Sequence, residues 1–153
     1  MIFDLPDAEA TTRLGAAIGR LVAGGEAVLL YGPLGMGKST LARGLIRSLT
    51  RPDEDVPSPT FTLVQTYEAE PPLAHFDLYR LTRPEEAFEI GLEEALDEGA
   101  CLLIEWPERL GEDPGRAVGP DRLVVRLEPE GEGRRATVSG AGAWEAKLDD
   151  IRP

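Results

Sequence analysis

Five apolar residues, Ala27 to Tyr31, run directly into Gly-Pro-Leu-Gly-Met-Gly-Lys-Ser at positions 32–39, and from there into a helical repeat. A short, unbroken apolar run is the mark of a strand buried on both faces of a parallel sheet. Leu41, Leu45 and Leu49 recur every fourth residue, which predicts a helix from about Lys38 to Leu49. The spacing Gly32-x4-Gly37-Lys38-Ser39 is the Walker A pattern, and strand, glycine-rich turn and helix are the context that pattern requires. Glycines at 32, 35 and 37 let the backbone wrap until successive N–H groups face one concavity, and the helix dipole adds to its positive potential. The cradle expected for nucleotide phosphates is therefore Gly32, Pro33, Leu34, Gly35, Met36, Gly37, Lys38, Ser39 and Thr40. Lys38 would sit against the β and γ phosphates and the Ser39 hydroxyl would ligate magnesium. The Met36 side chain can point outward from the loop, so only a local effect is expected of it.

The rest of the chain fits an α/β fold with a mostly parallel central sheet, flanking helices and hairpin additions, in one domain over residues 1–153. Ile2 to Leu5 predicts an edge strand, and Asp7 an N-cap for a helix to about Ala23 carrying Leu14, Ile18, Leu21 and Val22 on one face. Three prolines keep residues 50–60 irregular, and nothing in the sequence tethers that stretch. Phe61 to Glu68 predicts a strand, with Leu73 to Phe76 as its hairpin partner. Arg83 to Gly99 predicts one helix with Phe88, Leu92 and Leu96 on its face. Cys101 to Ile104 predicts a second buried strand, residues 107–121 a Pro/Gly-rich loop, and Leu123 to Leu127 with Ala136 to Ser139 a final hairpin. The tail from Trp144 to Ile151 is either a short helix or frayed.

Charge narrows the function. The chain has 28 acidic against 16 basic residues, a net charge of −12, whereas nucleic-acid binders carry a basic face for the phosphate backbone. Autonomous binding to nucleic acid is disfavoured, and docking on another protein is the better fit. Only two of the basic residues are lysines, Lys38 and Lys147, so lysine at position 38 is conspicuous in an arginine-preferring chain. No apolar run is long enough to cross a membrane, no basic-apolar leader opens the chain, and the single cysteine, Cys101, lies in an apolar strand as a buried thiol would. A cytoplasmic protein is expected.

A phosphate cradle also needs a carboxylate to hold the metal. Glu105 ends the strand Cys-Leu-Leu-Ile at the carboxyl edge where such sheets place their sites, and is the preferred metal ligand. Asp77, ending the weaker strand Leu-Ala-His-Phe, is the second choice, with a role behind the metal or in positioning water. His75 shares a strand face with Asp77 and reads as structural before catalytic. Thr60 suits either a switch threonine sensing γ-phosphate and metal or merely a strand start, and Trp106 either packs or borders the nucleotide. The guanine-reading Asn-Lys-x-Asp motif is impossible in a chain without asparagine, so ATP is favoured over GTP.

Four motifs, in order, now resemble one family: Gly-Pro-Leu-Gly-Met-Gly-Lys-Ser-Thr (32–40), Ser-Pro-Thr-Phe-Thr-Leu-Val (58–64), His-Phe-Asp-Leu-Tyr-Arg-Leu (75–81) and Ile-Glu-Trp-Pro-Glu (104–108). They are similar to TsaE, formerly YjeE, the ATPase component of the bacterial machinery that makes threonylcarbamoyladenosine in tRNA. The resemblance spans roughly residues 25 to 108, and no comparably sharp motif follows. It implies a compact P-loop fold using ATP and Mg2+, docked on the TsaD–TsaB pair, with tRNA met only through that complex. It also implies Lys38 on phosphate, Ser39 (threonine in many members) and Glu105 on magnesium, Thr60 as the switch threonine and Asp77 as a required aspartate. The rival reading is a P-loop small-molecule kinase, whose arginine lid would have to come from the region of Arg109, Arg116 and Arg122. A nucleotide-gated binding module is a weaker third.

Overall fold

Four strands laid side by side in parallel set the centre of the protein. The computed structural model describes residues 1–153. Its strands are β1 (Ile2–Leu5), β2 (Ala27–Tyr31), β3 (Val64–Tyr67), β4 (Leu73–Asp77), β5 (Cys101–Glu105), β6 (Arg122–Glu130) and β7 (Gly133–Ala141). They form one seven-stranded sheet in the order β1-β7-β6-β2-β5-β4-β3. The parallel centre is β6-β2-β5-β4; β3 closes one border antiparallel to β4, and β7 and β1 close the other. Both expected hairpins are present, and each contributes one strand to the parallel centre.

Alternation along the strands builds two cores, one on each face. Val28, Leu30, Leu73, Cys101 and Leu103 face helices α1 (Ala8–Gly19) and α2 (Lys38–Leu49), with Leu14, Ile18, Leu41 and Leu45 opposite. Ala27, Leu29, Ala74, Phe76, Leu102 and Ile104 face the other way, under three short helices, α3 (Glu86–Glu89), α4 (Leu92–Asp97) and α5 (Gly115–Val118). The same period turns His75, Asp77 and Glu105 toward the α2 side. α1 starts at Asp7, whose carboxylate accepts the Ala10 N–H at 2.8 Å. It lies so close to α2 that a Cβ on Gly15 would fall 2.1 Å from the Leu41 carbonyl oxygen, and one on Gly44 2.3 Å from that of Thr12. Only glycine permits that approach.

Several elements differ from expectation. α1 stops at Gly19 rather than Ala23, because Lys147 draws out the Leu21 carbonyl and the Glu26 carboxylate takes the Ala23 N–H. The strand expected over Phe61–Glu68 is confined to Val64–Tyr67: Leu63 bonds back to the Pro59 carbonyl at 2.6 Å with φ of +69°, a turn that ends the extended run. The helix expected from Arg83 to Gly99 breaks at Gly91, φ +96°, into α3 and α4, and leaves Phe88 43% exposed. Residues 107–121 hold a 3-10 turn, Pro107–Leu110, as well as α5. The tail is not frayed: Trp144 is fully buried in the α1–α2 core, and Lys147 forms an ion pair with Glu26 at 2.7 Å. No helix is long and apolar enough to cross a membrane.

Candidate functional site

The turn after β2 is shaped by glycine. Gly32, Gly35 and Gly37 have φ of +147°, +79° and +98°, all in the region that L side chains avoid. At Gly32 space forbids a side chain as well, since a Cβ would lie 2.8 Å from the Leu127 carbonyl oxygen. Gly37 hands the chain to α2, whose first residues are Lys38, Ser39 and Thr40. Lys38 is 5% exposed, and its ammonium donates to the carbonyls of Gly32 and Pro33 and lies 3.8 Å from the centre of the Trp106 ring. Burial pushes its pKa below the ordinary lysine value; Glu105, Glu108 and Asp77 pull the other way.

Across the loop, register brings the acids together: Asp77 on β4 is the direct neighbour of Glu105 on β5. Both are buried, at 5% and 2% exposure. The Ser39 hydroxyl donates to Glu105 Oε1 at 3.4 Å, while His75 Nε2 lies 2.8 Å from Glu105 Oε2. Thr60 donates to Asp77 Oδ2 at 3.1 Å and meets the Ser58 hydroxyl at 2.8 Å; Asp77 Oδ1 accepts the Tyr79 N–H. Lys38, Ser39, Thr40, Thr60, Asp77 and Glu105 thus line one cleft of about 270 Å³, with Leu34, Gly35 and Gly37 among its other walls.

The remaining cradle residues stand back from it. Gly32 and Pro33 offer only their carbonyls to Lys38. Met36 does not point outward as expected: it is half-buried against the α1–α2 core, which lies directly beneath the loop. The segment 50–60 is irregular as expected, yet it has tethers: Arg47 bonds the Glu54 carbonyl at 3.0 Å and Val56 packs on the core. β4 is no weaker than β5, with all five of its residues buried. Cys101 is buried deeply enough to push its thiol up to about 12, which leaves it inert at neutral pH.

One wall of the cleft escapes the sequence motifs. Arg134, near the start of β7, donates through Nη2 to the Gly35 carbonyl at 3.0 Å. Nothing in its spacing links it to residues a hundred positions earlier; only the pairing of β7 with β6 and β1 brings it to the loop.

In chemical terms the cleft pairs a buried cation with hydroxyl and carboxylate oxygens. Ser39 Oγ and Glu105 Oε1 are hard oxygen donors of the kind that would hold magnesium. No three His, Cys, Asp or Glu side chains converge to cage a metal by themselves.

Comparison with known proteins agrees with this fold. The model of the family described as threonylcarbamoyl adenosine biosynthesis protein TsaE matches residues 5–137. A tRNA threonylcarbamoyladenosine biosynthesis protein TsaE of Rickettsia felis is 35% identical over 148 residues, 96% of this chain and 84% of the relative. The protein of the same name from a Nostoc species is 42% identical over 116 residues, 72% of this chain and 70% of the relative. Among solved structures, YdiB of Bacillus subtilis superposes with a TM-score of 0.77 over 99% of this chain and 93% of its own, at 21% identity, a likeness of fold. With a family model spanning nearly its whole length and relatives this similar, the chain belongs to the TsaE family.

Proposed function

We propose that the chain binds ATP with magnesium in this cleft and hydrolyses it in support of tRNA threonylcarbamoyladenosine formation. It would work in the cytoplasm, docked on a TsaD–TsaB pair and meeting tRNA only through that complex. The observation that carries the reading is the convergence of Ser39 and Glu105 at the end of a turn that needs glycine at positions 32, 35 and 37 and folds over a buried lysine.

Each residue then has a task. Lys38 is costly to bury as a cation, so a phosphate anion offsets that cost and is held in return. The N–H groups of the loop and the first turn of α2 receive the phosphate oxygens. Ser39 and Glu105 would hold magnesium, and His75 takes the second Glu105 oxygen and keeps the first aimed at Ser39. Magnesium, when bound, neutralises the charge that builds between the β and γ phosphates. Asp77 anchors Thr60 and is placed to orient an attacking water, while Ser58 steadies the same hydroxyl.

Calorimetric titration of ATP, with and without magnesium, tests the binding half. Incubation with ATP tests the chemistry: ADP and inorganic phosphate in equal amounts are expected, without a phosphorylated metabolite. An ATP-indifferent protein, or a phosphorylated acceptor, would overturn the proposal.

A further inference from the structure

We infer that Arg134 grips the nucleoside end of the nucleotide, its guanidinium stacking on the base. The inference rests on the ATP reading and extends it to a residue outside the family's sequence motifs. The sheet order supplies the direction. β2, which feeds the loop, has β5 and β4 on one side and β6 and β7 on the other. Glu105 and Asp77 stand on the first side with Ser39 and Thr60, so on the ATP reading the metal and the terminal phosphate would lie there. A triphosphate laid along the loop therefore carries its nucleoside toward β6 and β7. Arg134 is the one side chain from that side that lines the cleft.

Its setting is that of a group held ready for a ligand. The Gly35 carbonyl fixes Nη2 at 3.0 Å, and the side chain crosses Gly37 so closely that a Cβ there would sit 3.2 Å from Nε and 3.3 Å from Cδ. Nε is buried and has no acceptor. In a chain with 28 acids, Arg134 makes no ion pair, whereas the adjacent Arg135 pairs with Asp4 and Glu130. A planar cation anchored by backbone and left without a counter-charge suits an aromatic heterocycle, on which guanidinium stacks well.

The test compares Arg134→Ala with the unmodified protein in calorimetric titrations of ATP, ADP and tripolyphosphate, with melting temperature as the check on folding. ATP and ADP should both weaken by about tenfold, the worth of one desolvated stacking contact, while tripolyphosphate is bound as before. An equal loss for all three would make Arg134 a phosphate ligand and overturn the inference, as would no loss for any. If Arg134→Ala does not fold, Arg134→Gln keeps an N–H donor for Gly35 without the guanidinium and carries the same comparison. An unmodified protein that binds none of the three would instead remove the ATP reading itself.

Discussion

His75 Nε2 lies 2.8 Å from Glu105 Oε2, between side chains only 2% and 3% exposed. His75 Nδ1 is buried with no hydrogen-bond partner. A bare acceptor nitrogen is a smaller burden than a bare N–H, so the neutral tautomer carries its proton on Nε2 and donates it to the carboxylate. Glu105 is thereby held with one oxygen occupied and the other facing Ser39. Glu105→Gln should retain most ATP affinity, since loop N–H groups and Lys38 remain, and lose hydrolysis by about a hundredfold or more. Single-turnover phosphate release beside equilibrium binding separates the two effects. If Asp77→Asn shows this pattern and Glu105→Gln does not, the two carboxylates have exchanged roles.

Lys38→Ala should lose ATP while melting near the parent temperature. The substitution removes a buried charge whose partners are two loop carbonyls and the Trp106 ring, so little packing goes with it. Near-normal ATP affinity in a folded variant would break the assignment of the cradle.

Trp106 should report on binding. Its ring lies 3.8 Å from the Lys38 ammonium and 4.9 Å from the Tyr79 ring centre. A phosphate that draws Lys38 away changes the field on the indole. Trp144, fully buried at the other core, should give a constant background. The nucleotide-dependent fluorescence change should vanish in Trp106→Phe; its persistence would assign it to Trp144.

Gly15→Ala should destabilise the fold by about 1–3 kcal/mol, because its methyl would overlap the Leu41 carbonyl and α1 and α2 would have to part. Chemical denaturation measures this. Affinity for ATP should fall too, since α2 carries Lys38 and Ser39. A neutral outcome would mean the helix pair has slack that its glycines do not suggest.

Hydrolysis should be slow in isolation and faster with TsaD–TsaB. Thr60 is held by single hydrogen bonds to Asp77 and Ser58 in a segment without helix or strand, and Phe61 beside it is 79% exposed. A partner that covers this segment raises the fraction of molecules with Thr60 in place, and the rate in proportion. Phosphate release by the chain alone, with tRNA, and with TsaD–TsaB distinguishes the cases. Stimulation by tRNA alone would contradict both this account and the −12 charge.

Much of this was legible in the sequence, for physical reasons that also explain the gaps. The strand 27–31 and the helix 38–49 were readable to the residue because an apolar run and a four-residue repeat are both strong local signals. Asp7 was readable as a cap for the same reason. The left-handed turn at Leu63 was not, since leucine carries no preference for positive φ and tertiary bonds impose it. The break at Gly91 hid inside a good helical pattern. Within the candidate site, Glu105, Asp77 and Thr60 were visible at strand and loop ends, but the pairing of His75 with Glu105 needed the β4–β5 register, and Arg134 needed the whole sheet order.

That order has a further consequence. Since the loop leaves β2 in the middle of the sheet, the acids and the arginine lie on opposite flanks, joined through β2, the loop and the helix that follows it. If the base lies against Arg134, substitutions on the β6–β7 flank should retune which base is accepted, and those on the β4–β5 flank the chemistry at the terminal phosphate. On that arrangement the two preferences would be separately adjustable, and an engineered change of nucleotide need not disturb turnover.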